Sequence, residues 1–245
     1  MRSYYKFLHK ADVSKCIEDE TIIVSSSGFF RNHPDPFIGD PDEGVFRSHI
    51  INDSMELKTI QDLRRLSHFG VMFDHKEEME RRISRKEVIP KLTISATNTT
   101  NVIKSDFYIY SLAFGDVSEI WSAFLSKCDP QYRYDAAIMI TDINSYLTHI
   151  HNFAVHAKSR MPIKLMFPRV DCALVDYSKK TVASFSEMDI DYSRGTYKGS
   201  KYSWQSEFRL ILLRQTYWGE DRIVFHVPGI RRYLREVSVP SCDTA

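Results

Sequence analysis

The stretch KYSWQSEFRLILL, residues 201–213, sets an apolar run beside a carboxylate and a guanidinium. Side chains along a strand alternate between its two faces. Trp204, Ser206, Phe208 and Leu210 therefore fall on one face, and Gln205, Glu207 and Arg209 on the other. The apolar face has to pack on a core. The polar face is left to line either open water or a cleft.

Other short strand-like runs surround this one. YYKFL (4–8), ETIIVSSS (20–27), NVIKSDFYIYSLAF (101–114), YDAAIMITDI (134–143), RVDCALVDYSK (169–179) and RIVFHVPG (222–229) are rich in β-branched and aromatic residues. Helical patterns interrupt them irregularly. ADVSKCIED (11–19), DVSEIWSAFLSKC (116–128) with Asp116 as N-cap, and YLTHIHNFAVHAKSR (146–160) have helix character. Between about 52 and 91 the chain turns helical and charged, with Leu57, Ile60, Leu63 and Leu66 spaced for one apolar face. Strict strand–helix–strand alternation is missing, so the expected class is α+β: one domain over 1–245, a split strand-rich core and an inserted charged helical hairpin.

Several chemistries lack the residues they need. Neither G-x-G-x-x-G nor G-x-x-x-x-G-K-[ST] occurs, so a dinucleotide fold or phosphate loop has no motif support. Cys16, Cys128, Cys172 and Cys242 form no C-x-x-C pair, and His149, His151 and His156 lack the i, i+4 spacing of a metal helix; no metal is expected. A formal net charge of +1 gives no whole-molecule steering toward polyanions. The basic run RRISRK (81–86) reads as a solvated helix face beside EEME. No apolar run approaches the roughly 18 residues of a membrane helix, and no leader pattern opens the chain. The expectation is a cytoplasmic protein with reduced thiols and no membrane partner.

The order of several motifs carries more weight than any one of them. A first strand with aromatic and basic residues, YYKF, is followed by the loop SSGFFRNHPDPF (26–37). Then come Ser111, Asp116 and Trp121, the pair Val175 and Tyr177, and finally Lys201, Trp204, Glu207 and Arg209. This order resembles a widespread bacterial domain family with an S…NDPF-like loop, an S…D…W segment and a K…W-x-x-E-x-R strand. More distantly it is similar to the ADP-ribosyltransferase superfamily. There, a first-strand polar residue, a mid-chain Ser and a late [Glu/Gln]-x-Glu strand surround a bound NAD. Here His33 and Pro34 lengthen the loop, and Gln205 stands where Glu is common.

The resemblance implies an ADP-ribosyltransferase-like core that cleaves the nicotinamide–ribose bond of NAD, its substrate, and transfers ADP-ribose to a macromolecule (protein or nucleic acid) or to water. Glu207 would face the developing sugar cation, Gln205 would orient an acceptor, and Ser111 would hydrogen-bond Glu207 and fix its rotamer. Tyr4, Tyr5, Lys6, Ser26, Asn32, Phe37, Trp121 and Arg209 complete the implied NAD contacts. Two other readings stay open. One is a non-catalytic binding module of a bacterial defence or regulatory system. The other is a Mg²⁺-dependent nuclease built on Asp171, Asp176 and Lys179.

Overall fold

The computed structural model describes residues 2–68, 74–85, 93–104, 106–156, 169–177, 181–182, 197–213 and 221–239. In chain order these form β1 (Ser3–Leu8), α1 (Val13–Ile17), β2 (Thr21–Ser26), α2 (Ser27–Arg31), β3 (Val45–Glu56), α3 (Ile60–His68), α4 (Lys76–Ser84), β4 (Thr93–Lys104) and β5 (Phe107–Gly115). There follow α5 (Val117–Lys127), β6 (Ala136–Ile140), α6 (Ile143–His156), β7 (Arg169–Leu174), β8 (Thr181–Val182), β9 (Glu207–Leu213), β10 (Arg222–His226) and β11 (Leu234–Val237). The class is α+β, as the irregular alternation of patterns implies. Among the described residues no helix is long and apolar enough to cross a membrane.

Eight strands make one antiparallel sheet with β5 at its branch point. One edge of β5 pairs with β9, from Phe107↔Leu213 to Ala113↔Glu207. The opposite edge is shared. β2 pairs with it at Tyr108 and Ile109, and β1 at Ala113, Phe114 and Gly115. Tyr110, Ser111 and Leu112 are left between the two diverging strands. The Ser111 carbonyl there accepts a hydrogen bond from Lys6 Nζ at 3.0 Å instead of from a ladder amide.

Alternation then assigns the two faces. Tyr108, Tyr110 and Leu112 of β5 join Phe208, Leu210 and Leu212 of β9 in a core closed by Tyr146 and Ile150 of α6. Tyr146 donates to the Tyr110 hydroxyl at 2.9 Å, so the two buried phenols satisfy each other. Ser111, Glu207 and Arg209 belong to the other face. α5 covers part of that face. Its start is fixed by Asp116, whose carboxylate accepts from the amides of Ser118 (3.0 Å) and Glu119 (3.3 Å), as an N-cap should. Its buried Trp121 and Phe124 pack on Phe7 of β1.

The insertion differs from the expected helical hairpin over 52–91. Its base is a ribbon in which β3 and β4 pair from Val45↔Lys104 to Glu56↔Thr93, with β8 alongside Arg47 and Ser48. α3 and α4 lie between those strands in sequence. Leu63 and Leu66 of α3 are buried as the helical spacing implies, and Leu57 is buried just before the helix begins. Residues 52–56 are strand, and 86–91 lie outside the described residues. In the basic run Arg81 pairs with Glu78 at 3.0 Å on the exposed face of α4.

Candidate functional site

The expected strand over 201–213 is shorter than its alternation suggested. Ser200–Gln205 winds as a 3-10 turn, Ser206 adopts the left-handed conformation (φ 45°, ψ 51°), and β9 begins only at Glu207. Gln205 and Glu207 therefore do not share a strand face. The kink at Ser206 nonetheless brings both onto one cation. Lys198 Nζ lies 2.6 Å from Gln205 Oε1 and 3.1 Å from Glu207 Oε2. Lys198 is buried, whereas Lys201, the lysine of the sequence motif, is exposed.

Glu207 is the centre of a buried charge cluster. Its Oε1 accepts from Ser111 Oγ at 2.5 Å and from Arg209 Nε at 3.1 Å; its Oε2 accepts from Lys198 and from an Arg209 terminal nitrogen at 3.2 Å. Arg209 also grips both carboxylate oxygens of Glu43 at 2.8 Å. Among the described residues, two carboxylates and two cations thus meet in one buried group. Burial alone would raise the Glu207 pKa. The ion pairs with Arg209 and Lys198 outweigh it, and the carboxyl is held well below its ordinary range. The backbone of Glu207 is fixed as well: its N–H donates to the Tyr177 hydroxyl, and its carbonyl accepts from the Val175 amide, both at 2.8 Å.

Glu207 lines two hollows. One, of about 150 Å³, lies among Tyr5, Phe7, Phe29, Phe124, Tyr134 and Trp204, with Lys6, Ser111, Lys198, Gln205 and Arg222 also in its wall. The other, of about 580 Å³, lies toward the start of α5 and the end of β7. Ile120, Trp204 and Glu207 border both. Trp204 Nε1 is buried and has no hydrogen-bond acceptor among the described residues.

Of the residues singled out from sequence, Glu207, Gln205, Ser111, Tyr5 and Lys6 come together around the smaller hollow, and the Ser111–Glu207 hydrogen bond forms as anticipated. Six residues stand elsewhere. Tyr4 packs against Phe114 and Phe208 in the core. Ser26 caps α2 by accepting from the Phe29 amide at 2.9 Å. Asn32 is exposed past the end of α2. Phe37 contributes its carbonyl, 2.6 Å from Gln205 Nε2, rather than its ring. Trp121 is packed behind Phe7, and Arg209 is spent on the two glutamates. Gln205 is tied at both ends of its amide, to Phe37 and Lys198, which removes it from the role of a free acceptor-orienting group. Sequence reasoning missed Glu43 and Lys198. Both sit in stretches whose local composition reads as turn.

The NHPDPF loop is organised by turn chemistry. Asp35 Oδ1 accepts from the Phe37 amide at 2.7 Å, and Oδ2 reaches the Asp129 amide at 3.1 Å. Gly39 offers its carbonyl to the Tyr202 hydroxyl at 2.7 Å. A Cβ on Gly39 would lie 2.7 Å from the His33 carbonyl oxygen. Gly39→Ala is therefore expected to cost about 1–3 kcal/mol, read as a lower urea midpoint with an unchanged slope.

Among the described residues, no group of three or more His, Cys, Asp and Glu is placed to hold a metal. Asp171 is on β7, Asp176 bridges to Tyr197, and Lys179 lies outside the described residues. His149 is occupied by the Pro228 carbonyl at 2.7 Å and Arg232 at 3.0 Å. No protein-family model, curated protein or solved structure matches this chain.

Proposed function

We propose that the chain is an ADP-ribosyltransferase-like enzyme that cleaves the nicotinamide–ribose bond of NAD. The observation that carries the reading is one buried, ionised carboxylate, Glu207, bordering two hollows with the Ser111 hydroxyl fixed on it. In this reaction the bond between the ribose carbon and the ring nitrogen breaks, and the electron pair leaves with neutral nicotinamide. The ribose carbon becomes cationic until water or a macromolecular nucleophile attacks it and sheds a proton. A fixed carboxylate favours that cation and needs no proton of its own. A depressed pKa suits this role and argues against general-acid work. A hollow of about 150 Å³ is the size of one aromatic ring, and the rest of a dinucleotide would extend along the larger hollow.

A second reading has its own support. Lys198 and Arg209 already neutralise Glu207, which favours a module that binds its ligand without turnover. Incubation with NAD separates the two. Nicotinamide release by the parent protein that disappears in Glu207→Gln supports the enzyme. Saturable binding of NAD in calorimetry with no release supports the module. Neither release nor binding removes NAD from both readings.

A further inference from the structure

Among the described residues, the smaller hollow has a charge imbalance that the Glu207 cluster does not explain. Lys198 in its wall is matched by Glu207. Lys6 and Arg222 also line it. Among the described residues neither forms an ion pair with a carboxylate. Lys6 Nζ donates to the Ser111 carbonyl and lies 4.6 Å over the Tyr110 ring, and the Arg222 guanidinium lies 4.4 Å over the Phe29 ring. Asp221, next in the chain, accepts instead from the Ser26 hydroxyl at 3.3 Å. Tyr5, Phe7, Phe29, Phe124, Tyr134 and Trp204 give it an aromatic side. Lys6 is half-buried and Arg222 exposed, and an anion lying between them would meet two cations that no described carboxylate already holds.

We propose that the smaller hollow binds a single-ring aromatic oxyanion, a carboxylate or phosphate ester, with its anionic group between Lys6 and Arg222 and its ring against the aromatic wall. The site is independent of whether Glu207 cleaves NAD. It would make a ring-bearing acid a ligand, and an occluder of the hollow, whatever the reaction next to it.

The proton balance of Lys6 gives the site a signature. Burial pushes its ammonium down to about 8, and Arg222 acts in the same direction; Cys16 from α1 and Glu207 from β9 oppose them. Tyr110 from β5 faces it with a neutral ring, and Lys198 and Tyr134 also stand in the wall. An incoming anion stabilises the protonated form, so binding near this pH takes up a proton.

The test uses benzoate, phenyl phosphate and benzamide, matched in ring and different in charge, titrated calorimetrically into the full chain without NAD. Benzoate or phenyl phosphate is expected to bind about tenfold or more tighter than benzamide at pH 7. The advantage is expected to fall about tenfold by pH 9, with net proton uptake measured in two buffers of different ionisation enthalpy. Whichever anion binds better identifies the group the site accepts. Lys6→Met should abolish both the preference and its pH slope while keeping benzamide affinity. Its unfolding temperature at pH 7 should stay near the parent's, because a half-buried ammonium with no carboxylate partner among the described residues is exchanged for an apolar chain of similar length. Benzamide binding as tightly as both anions overturns the proposal, as does a pH-independent anion affinity, or no binding of any probe at millimolar concentration.

Discussion

Arg209→Met is expected to destabilise the protein by about 3–5 kcal/mol, the largest loss of any single substitution considered. The guanidinium is 1% exposed and makes four hydrogen bonds to two buried carboxylates. Methionine matches much of the shape and none of the charge. Glu43 and Glu207 would then remain buried with one ammonium, Lys198 on Glu207, and a buried charge without its partner is the costly configuration. In a domain of this size the loss corresponds to roughly 10 °C or more in unfolding temperature. Adding Glu43→Gln to Arg209→Met is expected to recover part of it, because one orphaned charge is removed. A double-mutant cycle in urea measures the coupling, and two effects that simply add would refute the arrangement. The same cluster sets the acid limb. With its pKa depressed in the fold, Glu207 contributes stability that is intact above its unfolded value of 4.5 and lost as pH drops below it.

Glu207→Gln is expected to lower nicotinamide release about 10²–10³-fold, with little change in the Michaelis constant for NAD. The amide keeps the side chain's length and can still accept from Ser111 and Arg209. It loses the negative charge that would meet the sugar cation. It also leaves Lys198 and half of Arg209 uncompensated, so a fall of a few degrees in unfolding temperature should accompany the lost activity. A loss of release explained by unfolding at the assay temperature would count against a chemical role. Circular dichroism at that temperature distinguishes the two.

How much of this was legible in the chain can be judged residue by residue. The strands β2 and β10 follow from alternation, β6 from an apolar run buried almost throughout, and the Asp116 cap from local pattern. β3 does not. Burial alternates over residues 47–51, yet Ser48 is buried and Ile51 is 55% exposed, so residue type does not follow it in VFRSHIINDSME. β9 was misjudged at one end only. A single left-handed residue, Ser206, breaks the period of two, and nothing in a serine announces that. Glu43 was hidden in GDPDEG, where acidic residues are ordinary turn formers; its burial depends on Arg209, which local reading cannot see. Lys198 and Lys201 sit three positions apart, and only the 3-10 turn decides which one is turned inward.

The Glu43–Arg209 pair joins positions 166 residues apart. Closing so long a segment costs chain entropy that only the nearly complete sheet can repay, which makes this ion pair a late event in folding. Its worth should appear mainly as a latch on escape from the native state: losing Arg209 would speed unfolding and leave the refolding rate nearly untouched. The residues that hold the carboxylate ready would then also set how long each molecule survives between excursions.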